Sequence, residues 1–119
     1  MPGTINNEYG KVTISEDIIA TVAGYAATEN YGVVGMSAKT ATDAILKLVG
    51  SEANNKRGVK VSFLGEGDEV DIDLYVTMVY GVSLPVVAKN MIDNVRYRVQ
   101  ETTGIKVANV NIHVESISA

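Results

Sequence analysis

The chain has 119 residues, 46% of them hydrophobic, and fourteen acidic against ten basic side chains leave a formal net charge of −4. That is one domain's length with apolar residues enough for a core, and the acidity argues against a general nucleic-acid surface, which needs a clustered basic excess. No cysteine is present, which excludes disulfides, thiolate catalysis, Cys-ligated zinc and Fe–S clusters.

The first ten residues, MPGTINNEYG, carry neither a basic segment nor an apolar run, so no secretory signal is expected. Nowhere does an apolar stretch approach the roughly 18–20 residues that span a bilayer. The expected location is the cytoplasm, without direct membrane insertion, any membrane attachment coming through a partner. Residues 1–7 are polar, contain Pro2 and Gly3, and are expected to be a flexible start to a single domain over 8–119.

Glu8 to Ile14 reads as a short strand. Ser15 stands where a helix N-cap belongs, with Glu16 and Asp17 at the positive end of the helix dipole. Ile18, Ile19, Val22, Ala23 and Ala26 fall at helical spacing, which predicts a helix over 16–29. Asn30-Tyr31-Gly32 stops it, since Asn and Gly most readily take the left-handed conformation. Val33 to Ala38 is a predicted strand and Ala41 to Val49 a short helix capped by Thr40. Gly50 to Arg57 is a polar loop.

Gly58 to Leu64 alternates, turns at Gly65-Glu66-Gly67-Asp68, and leads into the most regular stretch of the chain. From Val70 to Tyr80, Val70, Ile72, Leu74, Val76, Met78 and Tyr80 alternate with Asp71, Asp73, Tyr75, Thr77 and Val79. A period of two means one face in a core. With Leu64 opposite Glu69, Phe63 meets Val70, Val61 meets Ile72, Val59 meets Leu74, and Lys60 meets Asp73. Apolar and charged patterns thus agree on one register. Ser83 and Pro85 open the longest helix, with Leu84, Val87, Ala88, Met91, Ile92, Val95 and Val99 on its apolar stripe, and Thr103-Gly104 ends it. A last strand runs from Val107 to Ile117. The strand–helix–strand connection predicts that strands 70–80 and 107–117 are parallel neighbours, joined by a right-handed crossover.

The predicted class is α+β: a two-layer α/β sandwich of order β-α-β-α-β-β-α-β, a mixed sheet with helices mainly on one face. The other face carries Lys60, Ser62, Asp71, Asp73, Tyr75, Thr77, Asn109, Asn111 and His113. Tyr75, Thr77, Asn111 and His113 are its candidate interface residues, since tyrosine brings contact area at low entropic cost.

No catalytic set is found. His113 is the sole histidine, and with no cysteine it cannot make a conventional zinc site. Glu69, Asp71 and Asp73 lie about 7 Å apart along a strand, too far to wrap one ion without a loop, so a solvated acidic edge is expected and no metal. No glycine-rich phosphate loop is present and no cofactor is expected. Arg96 and Arg98, two apart on a helix, do not share a face. Lys56 and Arg57 are the one candidate phosphate or RNA contact and support an alternative reading as a small RNA- or ligand-binding domain. DNA is not an expected partner.

EYGKVTIS at 8–15, AATENYGVVGM at 26–36, KRGVKV at 56–61, DLYVTMVYG at 73–81 and TGIKVANVNIHV at 103–114 together resemble the alkaline-shock/general-stress (envelope stress response) family of Gram-positive bacteria, in its short form. The resemblance covers Glu8 to Ile117, with Ile92 where the family often has Gln and Ser116 where Gly is common. It implies a non-enzymatic, cytoplasmic protein of cell-envelope homeostasis. Such a protein acts as a protein–protein interaction module, a homo-oligomer that docks on a membrane-anchored or fatty-acid-metabolism protein.

Overall fold

The computed structural model describes residues 3–36 and 58–119. Two helices and six strands are present among them. The strands are β1 (Gly3–Asn7), β2 (Gly10–Ile14), β3 (Val33–Met36), β4 (Val59–Leu64), β5 (Glu69–Val79) and β6 (Lys106–Ser118). The helices are α1 (Glu16–Thr28), between β2 and β3, and α2 (Leu84–Thr103), between β5 and β6. The helix predicted over 41–49 and the loop over 50–57 lie outside the described residues.

Everything is hung on β5. On its even side Val70, Ile72, Leu74, Val76 and Met78 are all 0% exposed. They share one apolar cluster with Ile19, Ala23, Ala26 and Ala27 of α1 and Val87, Met91, Val95 and Val99 of α2, so both helices roof this face. One edge of β5 pairs along its length with β6, in parallel, as the strand–helix–strand connection predicts. The other edge is shared. β4 covers its first half in the predicted register, from Val59 opposite Leu74 to Leu64 opposite Glu69. β3 covers the second half, from Val33 opposite Met78 to Met36 opposite Val76. Both run antiparallel to β5, so β3 and β4 lie end to end like one strand interrupted opposite Tyr75.

Four expectations are corrected. Residues 3–7 are no flexible start: β1 pairs antiparallel with β2 through a turn at Glu8-Tyr9, so the described order is β-β-α-β-β-β-α-β. This hairpin is pinned to the far end of the sheet, where the Thr4 N–H donates to the Gly67 carbonyl at 3.0 Å. A Cβ on Gly3 would meet the ends of the Ile105 and Phe63 side chains, so a larger residue here would require both to shift.

Next, the buried face of α1 is rotated from the predicted stripe. Ile19, Ala20, Ala23, Gly24, Ala26 and Ala27 face inward, while Ile18 is half exposed. Apart from Ile19, the inward side chains are small. Third, in the stop Asn30-Tyr31-Gly32 that follows α1, Gly32 takes the positive φ (94°) expected there, while Asn30 does not. Asn30 acts through its side chain. Its side-chain amide donates to the carbonyls of Ala26 (2.8 Å) and Ala27 (3.1 Å), satisfying groups that a helix end leaves orphaned. Asn94 of α2 donates to the same Ala26 carbonyl at 3.0 Å, and Arg98 pairs with Glu29, so α2 side chains hold the end of α1. Last, Tyr80 lies beyond the end of β5 and is exposed, not part of the core face.

The longest helix matches its prediction. Gly104 closes it at φ 74°, its N–H bonding the Gln100 carbonyl.

A testable consequence follows from the burial of β5. Leu74→Ala removes a fully enclosed side chain and is expected to lower stability by about 2–5 kcal/mol in urea denaturation. Val34→Ala, at a half-exposed position, is expected to change it by no more than about 0.5 kcal/mol.

Candidate functional site: the polar face of the sheet

The odd-numbered side of β5 is the opposite of its even side. No helix among the described residues covers it, and the side chains there meet across the β5–β6 seam. The parallel register sets Asp71 beside Asn109, Asp73 beside Asn111, Tyr75 beside His113 and Thr77 beside Ser116. Two register shifts maintain this. One passes over Ala108 and the other over Glu115, so Asn109 and Ser116 come to lie on the polar side.

The result is a ladder of cross-strand contacts. Asn109 Nδ2 donates to Asp71 Oδ1 at 2.9 Å. His113 Nε2 lies 3.1 Å from Asp73 Oδ1. A carboxylate can only accept, so Nε2 carries the proton in this contact. The imidazole stacks on the Tyr75 ring with centroids 4.5 Å apart and an interplanar angle of 12°. The Thr77 and Ser116 hydroxyls are 2.7 Å apart. At the start of the ladder Lys106 Nζ sits 3.6 Å from Glu69 Oε1.

Each acid of the 69–73 row therefore has its own neighbour on β6. Among the described residues, no group of three or more His, Asp or Glu side chains converges as an ion would require. This refines the expected solvated acidic edge: the carboxylates are half-buried members of a seam. His113 is likewise held by an acid and an aromatic ring. The chemistry of this wall is hydrogen bonding and ring stacking over a nearly flat area.

Of the four candidate interface residues, Tyr75 and His113 touch directly and Thr77 is locked to Ser116. Asn111 stands exposed beside Asp73. Lys56 and Arg57 lie outside the described residues. Arg96 and Arg98 diverge as expected, Arg96 reaching the Ala108 carbonyl at 3.4 Å and Arg98 reaching Glu29. Sequence reasoning missed Ser116, because a strict two-residue alternation from Asn109 puts Ser116 on the core side. Only the bulge at Glu115 reverses that.

A cleft of about 350 Å³ opens elsewhere, at the start of α2, lined by Asn30, Tyr31, Gly81, Val82, Ser83, Val86, Val87 and Asn90. Among the described residues its lining includes no acidic and no basic side chain.

Comparison with known proteins gives a consistent picture. The model of the alkaline shock protein 23 family, described as having a cell envelope-related function, matches residues 4–119. The chain is 38% identical over 113 residues to the uncharacterized protein YloU of Bacillus subtilis strain 168, covering 95% of this chain and 92% of the relative. It is 35% identical to the uncharacterized protein Spy1614 of Streptococcus pyogenes over 95% of this chain and 92% of the relative. It is 34% identical to the uncharacterized protein YqhY of Bacillus subtilis over 91% of this chain and 77% of the relative. No solved structure matches.

The stack is testable. In a double-mutant cycle of Tyr75→Ala and His113→Ala, the coupling between the two side chains is expected to be about 0.5–1 kcal/mol in favour of the pair. Additive losses would mean that the rings do not hold each other.

Proposed function

The chain belongs to the alkaline shock protein 23 family, and from that membership we propose that it is a non-catalytic interaction module of the cell envelope. It self-associates and docks through the polar face of its sheet on a membrane-anchored partner protein. The observation that carries this reading is the ladder itself. Its side chains are held in place before any partner arrives, so contact with a second protein costs little further side-chain entropy. Tyr75 and His113 present a rigid stacked edge at its centre, flanked by hydrogen-bonding groups on Thr77, Ser116 and Asn111. Aromatic side chains ringed by polar ones are the composition of a protein interface.

No helix among the described residues is long and apolar enough to cross a membrane. Attachment through a partner protein is therefore the form that envelope association takes in this proposal.

Sedimentation with native membrane vesicles from Bacillus subtilis, a source of two relatives, tests it. The purified protein is expected to co-sediment with untreated vesicles and to lose at least most of that binding when the vesicles are first stripped of exposed protein by protease. A Tyr75→Arg/Asn111→Arg variant, with an unchanged urea midpoint, is expected to stay in the supernatant. Equal binding to protein-free vesicles, or binding unaffected by the variant, would contradict the proposal.

A further inference from the structure

Strand β6 is 13 residues long, contains no proline, and among the described residues pairs on one side only, with β5. Its outer edge is thus a row of backbone donors and acceptors. α2 side chains close the beginning of that row. Gln100 Oε1 accepts from the Val107 N–H at 3.0 Å, and Arg96 donates to the Ala108 carbonyl. From Asn109 onward no such cover is present among the described residues. Long uncovered edges are where sheets add strands.

The faces of β6 make the choice of strand. The residues that its register aligns with the core side of β5 are Val107, Val110, Ile112, Val114 and Ile117, opposite Val70, Ile72, Leu74, Val76 and Met78. This set is symmetric about Ile112: Val110 and Val114 lie two residues away on either side, and Val107 and Ile117 lie five. The two bulges create the symmetry, since a strict alternation would not put both 107 and 117 on the face of 112.

A strand whose apolar face reads the same in both directions can pair antiparallel with itself about a two-fold axis without putting any core-side residue opposite a polar-side one. In that register Ile112 meets Ile112, Val110 meets Val114 and Val107 meets Ile117. On the other face Asn111 meets His113, Asn109 meets Glu115 and Lys106 meets Ser118, so no like charges are opposed.

What surrounds the edge fits the same partner. Val114 is 37% exposed and Ile117 45% exposed, although both are on the core side. The row of α2 that reaches β6 through Arg96 and Gln100 continues upward through Ile92 and Ala88, both half-buried. With joined edges about 4.8 Å apart, the α2 rows carrying Ala88 and Ile92 would approach each other across the axis.

We propose that two copies of this chain join β6 to β6, antiparallel about Ile112, into one continuous sheet roofed by both pairs of helices. The proposal deepens the self-association in the reading above, on which it rests, and leaves the polar face of each copy open on the same side of the joined sheet.

The absence of cysteine supplies a clean test. Opposed Cα atoms in an antiparallel pair are about 4.5–5.5 Å apart, within the span of a disulfide at about 4.4–6.8 Å. Ile112→Cys is therefore expected to give an oxidised covalent dimer in high yield. Glu115→Cys, whose counterpart lies six residues off register at about 20 Å, is expected to remain largely uncoupled.

Because Ile112 is half-buried, a second variant stands beside it. Val114→Lys/Ile117→Lys, at partly exposed positions, is expected to convert a dimer to a monomer in size-exclusion chromatography with light scattering, with its circular dichroism unchanged. Tyr75→Arg/Asn111→Arg is expected to remain dimeric. If only the Tyr75/Asn111 variant dissociates, self-association survives and the β6 seam is overturned. A wild type that is monomeric at all concentrations overturns both. Monomeric wild type with protected β6 amides would assign the edge to another segment of the same chain, which also contradicts the proposal.

Discussion

The constraint on which the rest of the molecule depends is the two-sidedness of β5. A strand can separate two environments only if its register cannot slip, because a shift of one residue would carry Ile72 and Leu74 to the polar side and Asp71 and Asp73 into the core. Here both edges of the strand are pinned. β6 holds one edge along its length, and β3 and β4 hold the other in succession. The even side chains are enclosed by helices of different character: α1 brings Ile19 and alanines, while α2 brings Val87, Met91, Val95 and Val99. The end of α1 is tied by side chains, with Asn30 and Asn94 of α2 meeting on the Ala26 carbonyl.

The same pinning shapes the polar side. Hydrogen-bonding groups on adjacent parallel strands form a ladder only when the residues come level. Two bulges in β6 bring Asn109, His113 and Ser116 level with Asp71, Tyr75 and Thr77. A bulge is a local cost to pairing, and two in one strand are accounted for by what they align: the ladder on one face and the symmetric apolar set on the other. The polar wall is thus set by the same register that sets the core, in a chain whose family is described by a cell envelope-related function.

Much of this was legible in the residues. The β4–β5 register followed from two patterns that agreed, apolar against apolar and Lys60 against Asp73. The α2 helix carried its start, stripe and stop in Ser83, Val87–Val99 and Gly104. The parallel β5–β6 pairing followed from the helix between them. Tyr75 and His113 could be placed on one face, but their stacking depends on the bulge at Ala108, which has no local signal in KVANVNI. The β1 strand was illegible for a related reason: GTINN has little strand propensity, and the order comes from pairing with β2 and from the approach of Gly3 to Phe63 and Ile105. In α1, a run of alanines blurs the amphipathic stripe, so the inward face is set by the sheet it meets and not by its own pattern. The end-to-end arrangement of β3 and β4 could not be read at all, because nothing in either segment says which half of β5 it will take.

Native-state hydrogen exchange tests the role of β5 most directly. If this strand is the element on which all others depend, the amides of Ile72, Leu74 and Val76 exchange only through global unfolding, with the same free energy as urea denaturation, while those of the β1–β2 hairpin open well below it. Exchange of the β5 amides at a lower free energy than those of α2 or the hairpin would contradict the account.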